Sequence, residues 1–224
     1  MLKDRVEQDE QLIVVVSAMG KTTDQLMENV SSLTSTPKEQ ELALLLTTGE
    51  QQTVSYLSMV LNDIGVSAKA MTGYQAGIKT IGHHLKSKIA EINPSTFTDA
   101  FEKHDVLVIA GFQGINENHE LTTLGRGGSD TTAVALAASN NIPCEIYTDV
   151  DGVYATDPRI LSHAKRLEYV SYEEMMEMSA LGAGVLETRS VELAKNYNIP
   201  LYLGRTLSNV KGTWIMSRSD LLEK

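Results

Sequence analysis

The segment Thr122-Thr123-Leu124-Gly125-Arg126-Gly127-Gly128-Ser129-Asp130-Thr131-Thr132-Ala133 sets three glycines around one arginine and then enters an Ala-rich helical stretch, Ser129–Ser139. Glycine lets a backbone approach a ligand closely. Backbone N–H groups at a helix start suit an anion, and a guanidinium can fork onto a carboxylate or phosphate. The chemistry on offer is recognition of a small anion. The plainer alternative is a tight turn with an N-cap at Ser129 or Asp130. A Walker-type phosphate loop is excluded because no Gly-Lys-Ser/Thr follows at the required spacing. No GxGxxG opens the first strand–helix unit either, so a dinucleotide fold has little support.

Two further clusters carry polar chemistry. Thr47-Thr48-Gly49-Glu50 precedes an apolar-striped helix, where Glu50 is either a helix-start carboxylate or a ligand acceptor. Tyr147-Thr148-Asp149-Val150-Asp151-Gly152-Val153-Tyr154, followed by Thr156-Asp157-Pro158-Arg159, ends a strand in acceptors, a tyrosine and an arginine. In open α/β sheets ligands bind at such strand ends, although Asp-Gly and Asp-Pro also read as ordinary turns. The five histidines have no metal-ligand spacing, so no metal residues are assigned. Met175, Met176 and Met178 read as core. Cys144 is the single cysteine and reads as a buried small hydrophobe, with no intrachain disulfide possible.

These clusters need elements to hold them. Leu12–Val16 is a β-branched run suited to a strand buried on both faces. Thr36-Pro37-Lys38-Glu39 reads as a capping box. A helix is expected over Glu50–Asp63, with Val54, Leu57, Leu61 and Ile64 on one stripe and Gly65 as its stop. Strands are expected at Val66–Met71, Asp105–Phe112, Cys144–Val150, Pro200–Gly204 and Thr213–Met216. Helices are expected from the capping box Ser171-Tyr172-Glu173-Glu174 to Leu181, and over Glu187–Tyr197. The stretch Thr80–His104 reads as a peripheral flap or helix pair. Strands alternating with helices predict an α/β fold with a mainly parallel sheet. No Pro/Gly-rich linker divides the chain, which reads as one domain over residues 1–224.

Composition narrows the partners. Apolar residues make up 42% of the 224 and charged residues 21%, an ordinary globular balance. The net charge of −10 argues against nucleic-acid binding by phosphate neutralisation. No apolar run reaches the length of a membrane span, and the polar, acidic start is neither a signal nor a transit peptide. A cytoplasmic location is the expectation.

Taken together and in order, Val15-Val16-Ser17-Ala18-Met19-Gly20, Thr48-Gly49-Glu50, Thr72-Gly73-Tyr74-Gln75-Ala76-Gly77, Ala110-Gly111-Phe112-Gln113-Gly114, Gly125–Thr131 and Thr148–Tyr154 resemble the aspartokinases. The match covers nearly the whole chain. The resemblance implies an open, eight-stranded, mainly parallel three-layer α/β/α sandwich, the amino-acid kinase fold. It implies transfer of the ATP γ-phosphate to the β-carboxylate of L-aspartate with Mg²⁺, the first step towards lysine, threonine and methionine, in a homodimer.

Residue by residue, the resemblance has Ser17 and Thr23 lining the site and Glu50 holding the amino group. Arg126 clamps a carboxylate beside the backbone of Gly127, Gly128 and Ser129, and Asp130 organises the catalytic centre. Thr148, Asp149, Tyr154, Arg159 and Val185 hold ATP. Three departures accompany it. The family's strand ending in Lys-Phe-Gly-Gly has no counterpart before Leu12, so the domain is expected to be incomplete at its N-terminus, and the family's C-terminal ACT domains have no counterpart either. Gly184 stands where the family carries a lysine near the nucleotide. A degenerate domain that binds aspartate or nucleotide without turnover, and another amino-acid kinase such as a glutamate or acetylglutamate kinase, are the alternatives. Glu50 with Arg126 disfavours uridylate and carbamate kinases.

Overall fold

Five consecutive apolar residues, Val106 to Ala110, are wholly shielded from water, as a run without polar alternation requires. The computed structural model containing them describes residues 1–161 and 163–222. The chain divides into two compact units, Met1–Ala133 and Val134–Lys224.

The first unit holds α1 (Leu2–Val6), β1 (Leu12–Val16), α2 (Thr22–Leu33), α3 (Glu39–Leu46), α4 (Thr48–Asp63), β2 (Ala68–Met71), β3 (Ile78–Ile81), β4 (Lys88–Ile92), α5 (Ser95–Phe101), β5 (Val106–Ala110), β6 (Gln113–Ile115), β7 (Leu121–Thr123) and the start of α6 (Gly128–Asn140). β5 is the centre of an all-parallel sheet of order β1-β5-β2. β1 is only partly buried beyond Leu12, because within this sheet it is an edge, whereas its composition had predicted burial on both faces. α4 packs Val54 and Leu61 on the sheet, beside Val106, Val108 and Ala110.

The second unit holds β8 (Cys144–Thr148), β9 (Tyr169–Ser171), α7 (Tyr172–Ala180), α8 (Thr188–Tyr197), β10 (Leu201–Arg205), β11 (Thr213–Met216) and α9 (Arg218–Leu222). Its sheet has the order β8-β10-β11-β9. The Ser171 capping box forms as its sequence predicts: Glu174 N–H donates to Ser171 Oγ at 3.2 Å, and Ser171 N–H donates to Glu174 Oε2 at 2.9 Å. Cys144 and Met175 are buried, as read, whereas Met176 and Met178, also read as core, are only partly buried.

Of the eight strand pairings among the described residues, five are parallel, so the α/β class with mainly parallel pairing holds. The strands hydrogen-bond as sheets of three, four and four rather than as one sheet of eight. Three local expectations are corrected. The stretch Thr80–His104 is not a helix pair: it carries the end of β3, the whole of β4 and the single helix α5, and β3 and β4 pair antiparallel, with Ile78 and Thr80 buried and Lys79 and Ile81 exposed, the period of two that marks a half-buried strand. The helix expected to start at Thr36 starts at Glu39, with an extended Lys38 before it and no side-chain cap. Ile64 falls off the buried stripe of α4 and is exposed, because that helix has ended at Asp63.

Replacing Ile109 by alanine is expected to lower unfolding free energy by about 2–5 kcal/mol. The same change at exposed Ile81 should stay within about 0.5 kcal/mol. Urea unfolding of the two variants measures the difference.

Candidate active site

In the first unit, a cavity of about 280 Å³ is lined by Ser17, Ala18, Thr23, Glu50, Phe112, Gly125, Arg126, Gly127, Gly128, Ser129 and Asp130. Every substrate-side residue singled out from sequence is therefore in one place. The elements explain why. Ser17 follows the carboxyl end of β1, and Gly111 follows that of β5, the adjacent parallel strand. Thr23 lies in the first turn of α2, Glu50 in the first turn of α4, and Ser129 and Asp130 in the first turn of α6. Strand ends and helix starts meet at the edge of a parallel sheet because each β–α connection is made there.

Close backbone contacts set the walls. A Cβ on Gly49 would lie 2.9 Å from the Ala18 Cβ, so glycine lets the start of α4 reach the loop after β1. A Cβ on Gly111 would meet Ser129 Oγ at 2.7 Å. Gly125 and Gly127, at φ of 76° and 64°, bracket Arg126 in a turn that residues with a Cβ rarely adopt. Phe112 also has a positive φ, 68°. Its N–H donates to Thr132 Oγ1 at 3.1 Å, and its carbonyl accepts from Leu124 N–H at 2.9 Å. Those two bonds hold the strained residue between β5 and the start of α6.

The electrostatics centre on Glu50, which is only 4% exposed. Its Oε1 accepts the Ala18 N–H at 3.2 Å, while Oε2 has no hydrogen-bond partner. Burial pushes the carboxyl pKa up, opposed by backbone N–H donation from Glu50 itself and from Ala18. A buried carboxylate oxygen without a donor is costly, and a ligand cation would relieve it. Arg126 lines the same cavity and is exposed, a guanidinium available to an anion. The cavity thus offers an acceptor for a cation, a fork for a carboxylate, and hydroxyls from Ser17, Thr23 and Ser129.

The nucleotide-side candidates lie in the second unit. Thr148 ends β8; its carbonyl accepts from Thr206 N–H at 2.9 Å, and its hydroxyl donates to Asp149 Oδ1 at 3.0 Å. Tyr154 donates its hydroxyl to Asp151 at 3.0 Å, and its pKa is raised by burial first and by Asp151 second. Arg159 is turned onto Asp157 through Nε at 3.0 Å and Nη2 at 2.7 Å. Val185 N–H donates to Ala183 C=O at 2.6 Å, and the place a Cβ would take on Gly184 is open. None of the five lines the unit's cavity of about 610 Å³, which is built around Ser171, Tyr172, Lys195 and Arg218. Among the described residues no His, Cys, Asp and Glu side chains form a group of three or more able to hold a metal ion, and no helix is long and apolar enough to cross a membrane.

Sequence reasoning missed Ala18, Gly125 and Phe112 as lining residues. Ala18 acts through its N–H, a group every residue carries. Phe112 acts through a left-handed backbone that its side chain does not announce.

Glu50 has a pH signature. Its folded pKa lies above the ordinary 4.5, so the folded state holds that proton more tightly than the unfolded chain. The associated stability is present below the ordinary pKa and is lost as pH rises through the raised one. Glu50→Gln, which keeps an acceptor for Ala18 N–H, should therefore be more stable than the parent at pH 7, and the difference should vanish near pH 4. Thermal melts across that range are the check.

Comparison with known proteins places this geometry. The chain is 50% identical to aspartokinase 2 of Bacillus subtilis over 212 residues, 94% of this chain and 52% of that protein. It thus spans about half the length of the relatives it matches. Its structure resembles that of the aspartate kinase from Synechocystis, with a TM-score of 0.83 and 42% identity over 96% of this chain and 36% of that one. It also resembles E. coli aspartokinase III solved in complex with aspartate and ADP, with a TM-score of 0.75 and 27% identity over 87% of this chain and 45% of that one. The family model for the amino acid kinase family matches residues 1–205, which takes in both the cavity and the strand ends of the second unit, and the chain belongs to that family.

Proposed function

We propose that residues 1–224 are the catalytic domain of an aspartokinase, which transfers the γ-phosphate of ATP to the β-carboxylate of L-aspartate. The observation that carries this reading is the unpartnered Oε2 of buried Glu50 in a cavity that also presents Arg126. A ligand that satisfies both bears an ammonium and a carboxylate. The size of the cavity suits an amino acid, and the likeness to aspartokinases selects aspartate.

In this reading Glu50 accepts the substrate ammonium, and Arg126 forks onto a carboxylate. Ser17 and Thr23 line the pocket, with Thr23 touching aspartate. A β-carboxylate oxygen attacks the γ-phosphorus, the bond to the β,γ-bridging oxygen breaks, and ADP leaves with that electron pair. The attacking carboxylate is already ionised near pH 7, so no general base is required. Catalysis is then alignment together with neutralisation of two like-charged partners. Beside Arg126 the backbone of Gly127 and Ser129 supplies donors, with Gly128 N–H bound to the Gly125 carbonyl at 3.1 Å to shape the turn, and Asp130 organises the centre. Thr148, Asp149, Tyr154, Arg159 and Val185 hold the nucleotide, for which Arg159 must leave Asp157. Mg²⁺ would come with the phosphates, for which it needs only one or two carboxylates from protein; Asp130 is an oxygen donor of the right kind, and the ion would neutralise phosphate charge. The enzyme acts in the cytoplasm as a homodimer, at the first step towards lysine, threonine and methionine.

A second reading, aspartate binding without turnover, is favoured by one observation: Gly184 presents no side chain where the resemblance expects a lysine near ATP. A coupled ADP-release assay with Mg-ATP, with and without aspartate, separates the two, provided aspartate binding is measured alongside. Aspartate-dependent ADP formation is the expected result. Saturable aspartate binding without ADP would select the second reading, and no binding of aspartate would sink both. Within an active chain, Glu50→Gln should lower kcat/KM for aspartate on the order of 10²-fold. Arg126→Lys, which keeps charge but loses the fork, should cost about tenfold.

A further inference from the structure

Three stretches singled out in the sequence have no part in the chemistry above: Thr72–Gly77, Ala110–Gly114 apart from the pocket wall at Phe112, and the threonine pair before Gly49-Glu50. In the fold one side chain joins all three. Gln113, the first residue of β6, is fully buried. Its Nε2 donates to the Thr47 carbonyl at 3.0 Å, and its Oε1 accepts from Gly73 N–H at 3.4 Å. Gly73 lies so close to the Gln113 main chain that a Cβ there would collide with the Gln113 carbonyl. The Gln113 backbone is in register with Thr123 of β7, two residues before the Gly125 turn.

Thr47 is the residue from which α4 starts, and that start has no side-chain cap of its own. The Thr47 carbonyl accepts Gln51 N–H at 3.3 Å as well as Gln113 Nε2. Gln113 therefore ties the first turn of α4, the turn that carries Glu50, to the strand that follows Phe112. An amide is needed for this because the site wants a donor at one tip and an acceptor at the other. A carboxylate of the same shape would set two acceptors facing the Thr47 carbonyl. Methionine would fill the space and make neither bond.

We infer that Gln113 is a positioning residue for substrate recognition: its amide fixes the first turn of α4 and thereby sets where the Glu50 carboxylate stands in the cavity. This rests on the reading of Glu50 as the acceptor for the substrate ammonium. Gln113 touches no substrate and acts through Glu50 alone, so its loss should be felt by ligands with an amino group and not by those without one.

The test is Gln113→Met in the full 224-residue chain, with Gln113→Asn, too short to span both partners, as the second variant should the first fail to fold. Calorimetric affinities are measured for L-aspartate and for succinate, the same dicarboxylate without the amino group. The aspartate affinity should fall about three- to tenfold, the size expected for a lost buried hydrogen bond, while the succinate affinity changes less than about twofold. The ratio of the two affinities is decisive. A ratio equal to that of the parent, whether both ligands weaken or neither does, overturns the inference, since a merely structural role would move both together. If the parent chain binds neither ligand, the substrate reading fails. The inference about Gln113 is then decided by a ¹³C-carboxyl titration of Glu50, read against Arg126 and Asp130 as the other charged groups lining the cavity. Movement of the Glu50 titration down towards the ordinary range in the variant supports it, and an unchanged titration overturns it.

Discussion

A carboxylate buried with one oxygen satisfied and the other not is the constraint around which the first unit is arranged. The Ala18 N–H holds one Glu50 oxygen, and the other oxygen is buried without a hydrogen-bond partner. Folding alone would not select this, since burying charge without full compensation opposes stability. The surrounding structure has to tolerate it: β5 is sealed from water along its whole length, and α4 is anchored by Val54 and Leu61 against that sheet. Stability drawn from an all-apolar strand offsets an acidic group kept unsatisfied in the cavity.

The same economy of space explains the glycines. Gly49 and Gly111 are sites where another residue's atoms already occupy the position of a Cβ, and Gly125 and Gly127 are sites where the backbone turns through a left-handed conformation. Phe112 adopts that conformation without being glycine, and its two backbone hydrogen bonds supply the restraint. The candidate substrate-side residues are thus set by short, tightly packed connections after β1, β5 and β7 and at the start of α4.

The two units differ in how ready their candidate residues are. In the first, Arg126 and Glu50 stand in a formed cavity. In the second, Arg159 and Tyr154 are engaged with the neighbouring carboxylates Asp157 and Asp151. A nucleotide would have to replace those partners, which is a different energetic problem from filling an orphaned acceptor. Local pairs of this kind are cheap to exchange when exposed, as the Arg159–Asp157 pair is on its arginine side.

Much of this protein was legible in its sequence. The β-branched run at Val106–Ala110, the capping box at Ser171–Glu174 and the alternation of strands with helices each follow from local physics, and the structure agrees with them. The grouping of Ser17, Thr23, Glu50, Arg126 and Asp130 follows from the family resemblance rather than from local pattern, and the fold supplies its physical reason: residues after parallel strands and at helix starts gather at one edge of a sheet. Tertiary structure alone decided the rest. The strands β3 and β4 are short, β3 half-buried and β4 mostly exposed, and the Ile-Lys-Thr-Ile of β3 does not spell out the alternation its burial follows, so their pairing is settled only by packing. The edge position of β1 is a matter of sheet order, which composition does not encode. Whether Glu50 is a solvated helix-start carboxylate or a buried one with a vacant oxygen depends on the approach of Ala18 and on the anchoring of α4 through Gln113, contacts between residues 32 and 66 positions apart. Local sequence sets which conformations are open to each segment; only long-range packing decides which polar groups end up facing one another without water.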